Sequence, residues 1–269
     1  MARLDKNMFN FTGRLGELSF YRVPGADHVR VRHKGGPSSE RVKNDRKFQR
    51  TRENGVEFGG GSTAGSHIRG LLHAQTTGSQ LNVHSDLNAC LRSLIALDTT
   101  SSRGERHLLI SRGGQMLEGL PLNTGQLFDM QVRATITCTV SRDTFAARVD
   151  IPELVPGGNL RLSIDRPMYR IVATLIYVPD FFYAGPRKKY IPAPGHVTNG
   201  AITVETPWYA ALDGSPATSL DLQLDMPTAP PDEHYSLLVA ITIHQGEVYR
   251  GMQVRKDEKA GTAKVLRVF

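Results

Sequence analysis

Cysteine is scarce in this chain. Its 269 residues include only Cys90 and Cys138, with no CxxC pair. The first lies in a helix-like stretch and the second in a strand-like stretch. One bridge between them is an alternative, but the pattern favours two isolated, buried thiols. The cysteine content therefore excludes a disulfide framework.

Long apolar runs are also missing. None approaches the roughly 18 residues that a membrane helix requires. Residues 1–12 carry charge but neither a continuous apolar stretch nor a small-residue cleavage site, so no signal peptide is predicted. We therefore expect cytoplasmic synthesis and no membrane insertion, and the sequence leaves the final location of any assembly open.

The common catalytic motifs are absent as well. The nine histidines form no HExxH pair, and neither GxxxxGK[ST] nor GxSxG occurs. The glycine-rich residues 59–66 follow a helix-like segment, which predicts a helix-terminating linker rather than a phosphate cradle. Asp221 and Asp225 fall on the expected solvent face of a strand. These observations predict a protein without enzymatic activity, cofactor, metal or evident small-molecule ligand.

Positive charge is concentrated in one segment. Residues 29–52 contain nine basic and two acidic residues, a net +7 that equals the charge of the whole chain, so the other 245 residues sum to zero. This placement favours an arm that binds an anionic partner over a merely solvated surface. The predicted polyanion-binding or interface residues are Arg30, Arg32, Lys34, Arg41, Lys43, Arg46, Lys47, Arg50 and Arg52.

Residues 18–22 and 28–32 predict a β-hairpin around a Pro-Gly turn. In its second limb Val29 and Val31 alternate with arginines, which gives one apolar and one cationic face. A two-stranded ribbon alone is marginally stable in water, so it needs another sheet or another subunit. The predicted subunit-docking residues are Leu18, Phe20, Tyr21, Val29 and Val31.

Helices are expected in the next part of the chain, after a flexible hinge at residues 34–39. A first helix is capped by Asn44 or Asp45 and ends at residues 58–61. A second spans residues 64–75, and a third spans about 80–97 with apolar residues on one face. That face carries Leu87, Leu91, Leu94 and Ile95.

Beyond residue 125 the apolar period changes to two. Alternating segments at 131–140, 145–151, 160–164, 220–225 and 237–243 predict strands with one buried and one solvated face. The expected fold is mainly β: an extended basic arm (1–60), a helical segment (61–120) and an antiparallel β-sandwich (121–269), immunoglobulin-like or jelly-roll-like.

Residues 179–190 combine aromatic and basic residues in what the sequence predicts to be a long loop. Such a loop could form a protein interface or bind single-stranded nucleic acid. Alternatively, its phenylalanine side chains only anchor the loop to the rest of the protein. The predicted interface residues are Phe181, Phe182, Tyr183, Arg187, Lys188 and Lys189.

The N-terminal third also carries a recognisable signature. It consists of GRLGELSFY at residues 13–21, VRHKGG at 31–36 and RVKNDRKFQRTRENGVEFG at 41–59. The chain thereby resembles a group of uncharacterised bacterial proteins with this signature and a variable β-rich remainder. The resemblance covers roughly residues 13–75. It implies that the arm is the defining module, and it transfers no catalytic residue.

Three classes of function follow, in order of preference. The first is a self-assembling structural subunit of a filament, tube or phage-like particle, whose arm adds strands to neighbouring copies of the chain. The second is a nucleic-acid-binding protein that uses the cationic segment 29–52. The third is an enzyme or a carbohydrate-binding sandwich.

Overall fold

The computed structural model describes residues 2–4, 12–23, 28–33, 35–72, 83–123, 125–162, 165–185, 189–226, 228–249 and 253–269. The chain divides into two compact units, residues 1–52 (unit 1) and residues 53–269 (unit 2). The described structure is mainly β, with several antiparallel sheets and a helix near the N-terminus.

Unit 1 is built on a small antiparallel sheet. Its strands are β1 (Ala2–Leu4), β2 (Gly13–Leu15), β3 (Leu18–Arg22) and β4 (Val29–His33), in the order β1-β4-β3-β2. The sheet is followed by α1 (Ser39–Asn44), a 3₁₀ turn (Arg46–Phe48) and the start of α2 (Gln49–Leu72).

The predicted hairpin is confirmed as the pair β3–β4. Phe20 lies opposite Val31, and Tyr21 lies opposite Arg30. The predicted turn at residues 24–27 lies outside the described residues. A second hairpin joins β2 to β3 through a two-residue turn in which Gly16 has a φ of +56°, a conformation that glycine adopts without strain. The chain itself therefore supplies the additional strands that the ribbon requires.

The expectation that a helix ends at residues 58–61 is wrong. Helix α2 continues through Gly59, Gly60 and Gly61 to Leu72. A Cβ at Gly60 would lie 2.6 Å from the ring of Tyr190, and one at Gly65 would lie 2.5 Å from Asn88 Oδ1. These glycines permit close packing against neighbouring elements, so they act as contact residues and not as helix terminators.

The third predicted helix is confirmed as α3 (Val83–Ala96). All four residues predicted on its apolar face are buried. Shorter helical turns follow: α4 (Ile110–Gly113), a 3₁₀ turn (Gly114–Leu117) and α5 (Phe128–Gln131). Among the described helices, none has both the length and the apolar character needed to cross a membrane.

The strands of unit 2 form three antiparallel sheets. They are β5 (Thr137–Ser141), β6 (Ala146–Ile151), β7 (Met168–Pro179), β8 (Phe181–Ala184), β9 (Lys189–Pro192), β10 (Ala201–Glu205), β11 (Tyr209–Ala210), β12 (Thr218–Gln223), β13 (Tyr235–Tyr249) and β14 (Gln253–Val268). The central sheet has the order β10-β7-β13-β14, with β11 also paired to β7. A smaller sheet has the order β12-β6-β5, and β8 pairs with β9.

The central sheet is buried on both faces. One face packs against α2 and α3 in a helix-side core that includes Ile68, Leu91, Ile176 and Leu238. The other packs against β6 and β12 in a sheet-side core that includes Val149, Leu220, Leu175, Leu237 and Ile241. The predicted solvated face of residues 237–243 is therefore wrong, because helices cover it. Strands β6 and β12 do alternate as predicted.

Candidate functional site: the cationic surface of unit 1

The register of the unit 1 sheet separates its side chains into two faces. Phe20 and Val29, on one face, are 8% and 6% exposed. The opposite face is defined by the cross-strand pairs. Ser19 pairs with both Arg14 and Arg32, and Tyr21 pairs with Arg30, so this face carries Arg14, Ser19, Tyr21, Arg30 and Arg32. Strict alternation along each strand thus gives a buried apolar face and a cationic face.

An aromatic ring lies among these cations. The guanidinium carbon of Arg32 is 5.3 Å from the centroid of the Tyr21 ring, a cation–π contact. Arg14 and Arg32 are exposed, whereas Tyr21 and Arg30 are half-buried. We call these residues the sheet face: Arg14, Ser19, Tyr21, Arg30 and Arg32.

The basic residues after the sheet are placed by local capping. Ser38 Oγ accepts from the Arg41 amide at 3.2 Å and begins α1, and Asp45 Oδ1 accepts from the Lys47 amide at 2.9 Å. The guanidinium of Arg52 donates to the carbonyls of Val42 and Asp45 at 2.8 and 2.9 Å. Arg52 therefore ties α1 to α2 inside unit 1, and its guanidinium is already engaged with backbone carbonyls.

Most of the described cations of residues 29–52 form no ion pair with another described residue. Among the described basic side chains of residues 29–52, only Arg41 forms an ion pair, with Asp45 at 3.6 Å. In unit 2, by contrast, many basic side chains meet a carboxylate: Arg103, Arg106, Arg142, Arg148, Arg166, Arg170, Lys264 and Arg267. The positive charge of unit 1 is thus largely uncompensated within the described structure.

The net formal charge also differs between the two units. Residues 1–52 contain 13 basic and 5 acidic residues, which gives +8, and residues 53–269 contain 20 and 21, which gives −1. Arg46, Lys47 and Arg50 also flank the first turn of α2, which contains no acidic residue. The partial positive charge of a helix N-terminus adds to theirs.

The predicted docking residues all lie in the interior strands of the unit 1 sheet. β4 pairs with β1 and β3, and β3 pairs with β4 and β2. Leu18, Tyr21 and Val31 are half-buried. The outer strands are β1 and β2, and β2 carries Leu15, which is 64% exposed. Lys34 lies outside the described residues.

The expectation of a long loop at residues 179–190 is wrong. β8 and β9 form a hairpin in which Tyr183 pairs with Tyr190. Phe181 is buried in the helix-side core, and Phe182 and Tyr183 are half-buried. Lys189 is exposed, and Arg187 and Lys188 lie outside the described residues. Because β8 and β9 pair, Phe181 and Tyr190 are buried in the helix-side core and are not available for a partner.

Polar side chains that the sequence did not single out converge where β7 meets β8. Asp180, which is 0% exposed, accepts from the Ser111 hydroxyl at 2.6 Å and the Ser111 amide at 2.9 Å. His234 Nδ1 lies 3.2 Å from the same carboxylate. The carboxylate sits between serine and imidazole, so His234 does not face the hydroxyl as a catalytic base would. The arrangement suits a structural tie between β7, β13 and α4.

A second polar chain lies beside it. The Tyr177 hydroxyl is 2.6 Å from His196 Nδ1, and His196 Nε2 is 2.9 Å from Asp232. Burial, followed by the neighbouring Tyr235 and Asp232, raises the pKa of Tyr177 well above its usual range. The phenol therefore stays protonated beside His196.

The outer face of β12-β6-β5 is polar and shallow. Arg148 lies at its centre, 3.0 Å from Asp150 and 3.1 Å from Asp221. Two open concavities lie along this ion-paired row, and both are lined by a mixture of polar and apolar residues. Asp221 and Asp225 are solvent-exposed, as predicted.

Metal-binding and thiol chemistry gain no support within the described residues. No three His, Cys, Asp or Glu side chains there converge on one point. Cys90 and Cys138 are both free thiols, which confirms that they are isolated, but the expectation that they are buried is wrong because both are only half-buried. Residues 59–66 lie within α2 and form no loop around a phosphate.

No family model, no curated protein and no solved structure matches the chain. The relationship implied by the N-terminal signature therefore stays a prediction.

Proposed function

We propose that the protein binds nucleic acid through the cationic surface of unit 1, largely without sequence preference. One observation carries the proposal: a compact unit of 52 residues bears +8, while the rest of the chain bears −1. Most of its described cations also lack a carboxylate partner. Uncompensated arginines and lysines gathered on one unit attract a phosphate backbone and displace its counterions.

The geometry changes the order of preference expected from sequence. The case for assembly rested on a hairpin that needed a neighbour, and strands β1 and β2 now meet that need from the same chain. The case for an anionic partner rested on charge placement, and the separation of charge between two units strengthens it.

Affinity measured against salt concentration tests the proposal. Removing three cations by the triple substitution Arg46→Gln, Lys47→Gln and Arg50→Gln should weaken binding of a fluorescent oligonucleotide. It should also reduce the slope of log K against log salt, by roughly 0.7 to 0.9 for each phosphate that the variant no longer neutralises. Fluorescence anisotropy from low to moderate salt measures both quantities.

The matched control removes the same charge from unit 2. Arg112, Arg133 and Arg161 are exposed there, and none has a carboxylate partner among the described residues. Replacing all three with glutamine should leave the salt slope nearly unchanged. Equal effects of the two triple variants would mean that net charge alone matters, and absence of binding at low salt would reject the proposal.

Self-assembly is the second candidate, favoured by the exposed outer strand β2. In this form of the hypothesis the added strand joins β2, since β3 and β4 are already paired on both sides. Leu15→Glu should then abolish oligomers in sedimentation velocity. Leu212→Glu, at a position 82% exposed in unit 2, is the control and should have no effect. A wild-type protein that stays monomeric at high concentration rules out this candidate.

In this proposal unit 2 is a non-enzymatic scaffold. The packing of β6 and β12 against the central sheet supports an antiparallel sandwich, immunoglobulin-like or jelly-roll-like, with an added helical layer. The buried Asp180 carboxylate lies between Ser111 and His234 and separates the hydroxyl from the imidazole, which supports a structural role for Asp180.

A further inference from the structure

We infer that the sheet face binds single-stranded nucleic acid, with a base stacked on Tyr21 and phosphates held by the surrounding arginines. This inference rests on the proposed function and adds to it a class of ligand and a residue that discriminates between ligands.

The first step is the chemistry of the face. Tyr21 lies directly opposite Arg30 in the β3–β4 register, and Arg32 lies over its ring. Arg14 falls on the same face across Ser19. One aromatic ring therefore shares a sheet face with three arginines, of which Arg32 contacts the ring, and proteins use this combination to hold bases by stacking and backbones by charge.

The second step is the shape of the surface. Neighbouring strands lie about 4.8 Å apart, so the four strands make a twisted platform on the order of 14 Å wide. In a duplex the bases are paired and stacked on each other, so none of them can lie flat on the Tyr21 ring. A single strand can turn one unpaired base onto the ring while its phosphates reach Arg30 and Arg32.

The third step is the state of the ring before binding. In the free protein the exposed guanidinium of Arg32 covers Tyr21. A base that stacks on the ring displaces this group, which is then free to contact the adjacent phosphate. The opposite face is anchored by buried Phe20 and Val29, so the platform is already formed when the strand arrives.

The test compares a labelled oligothymidylate with a duplex of equal length by fluorescence anisotropy, using the full chain. We expect the wild type to bind the single strand more tightly. Tyr21→Ala should weaken single-strand binding on the order of tenfold and leave duplex binding nearly unchanged. Tyr21→Phe keeps the ring and should retain wild-type affinity for both.

The outcomes separate this inference from the proposed function. Equal affinity for both ligands, or an equal loss for both in Tyr21→Ala, overturns the role of Tyr21 while leaving phosphate binding intact. Binding of neither ligand at low salt rejects the proposed function itself. A circular dichroism spectrum of Tyr21→Ala that matches the wild type shows that a selective loss does not come from unfolding.

Discussion

The ring of Tyr190 lies against the backbone of helix α2 at Gly60, only 2.6 Å from where a Cβ atom would be. Gly60→Ala should therefore destabilise unit 2 by about 1–3 kcal/mol, because the ring or the helix has to shift. Gly59→Ala is the matched control, since the space around that position is open. It should raise stability by up to about 1 kcal/mol through helix propensity alone. Chemical denaturation of both variants measures the difference, and similar effects would contradict the close contact.

Asp98 gives unit 2 a specific dependence on acid. Burial raises the pKa of this carboxyl, but hydrogen bonds from Thr100, Ser101 and the His107 amide outweigh burial and hold the pKa well below its usual range. A lowered pKa in the folded state means that the stabilisation is present above about pH 4 and is lost as the pH falls.

We therefore expect Asp98→Asn to lower the free energy of unfolding by about 2 kcal/mol at pH 7, since buried donors lose a charged acceptor. The difference from wild type should narrow below about pH 4. Urea unfolding at a series of pH values measures it. A difference that stays constant from pH 7 to pH 3 would show that the Asp98 charge contributes nothing.

The thiol of Cys138 should react slowly. Burial, together with Asp150 and Glu118 and despite Arg267, raises its pKa to about 11. The thiolate needed for alkylation is therefore scarce at pH 8, and labelling by iodoacetamide should accelerate only towards pH 11. Measuring the rate in a Cys90→Ser background isolates Cys138. Fast labelling at pH 8 would contradict the raised pKa.

A chain that begins at residue 53 should fold on its own. Both cores of unit 2 lie beyond that point, including Ala64, Ile68 and Leu72 of α2. A chain that begins at residue 73 lacks those three side chains and should be severely destabilised. Circular dichroism and cooperative urea unfolding compare the two truncations. A disordered 53–269 fragment would show that unit 2 depends on unit 1, and the folded fragment should no longer bind nucleic acid.

Local patterns predicted those elements whose two faces differ. Leu87 and Leu91 mark the buried side of α3, and the alternation around Val29 and Val31 marks β4. Strand β7 was not predicted, because residues between Ile171 and Val178 are apolar apart from Thr174 and do not alternate. Its two faces pack into two different cores, so polar side chains do not mark the strand period.

Other features depend on partners distant in sequence. In sequence, the glycine-rich stretch that contains Gly60 and Gly65 resembles a linker that ends a helix. The reason for glycine inside α2 is the close approach of Tyr190 to Gly60 and of Asn88 to Gly65, and these contacts are not visible in the sequence. The cationic site was predicted in part, since the arginines and lysines of residues 29–52 are visible as a cluster. Their lack of carboxylate partners, and the role of Arg52 in joining α1 to α2, required the folded arrangement.

The double-sided burial of the central sheet sets how its backbone exchanges protons with solvent. Strands β7 and β13 pair with neighbours on both edges and are covered on both faces, so most of their amides reach water only when unit 2 opens globally. Amides of the outer strands β2 and β5 open through local fraying. Deuterium should therefore enter β7 and β13 last, and their exchange rates report the free energy of unfolding of unit 2 itself.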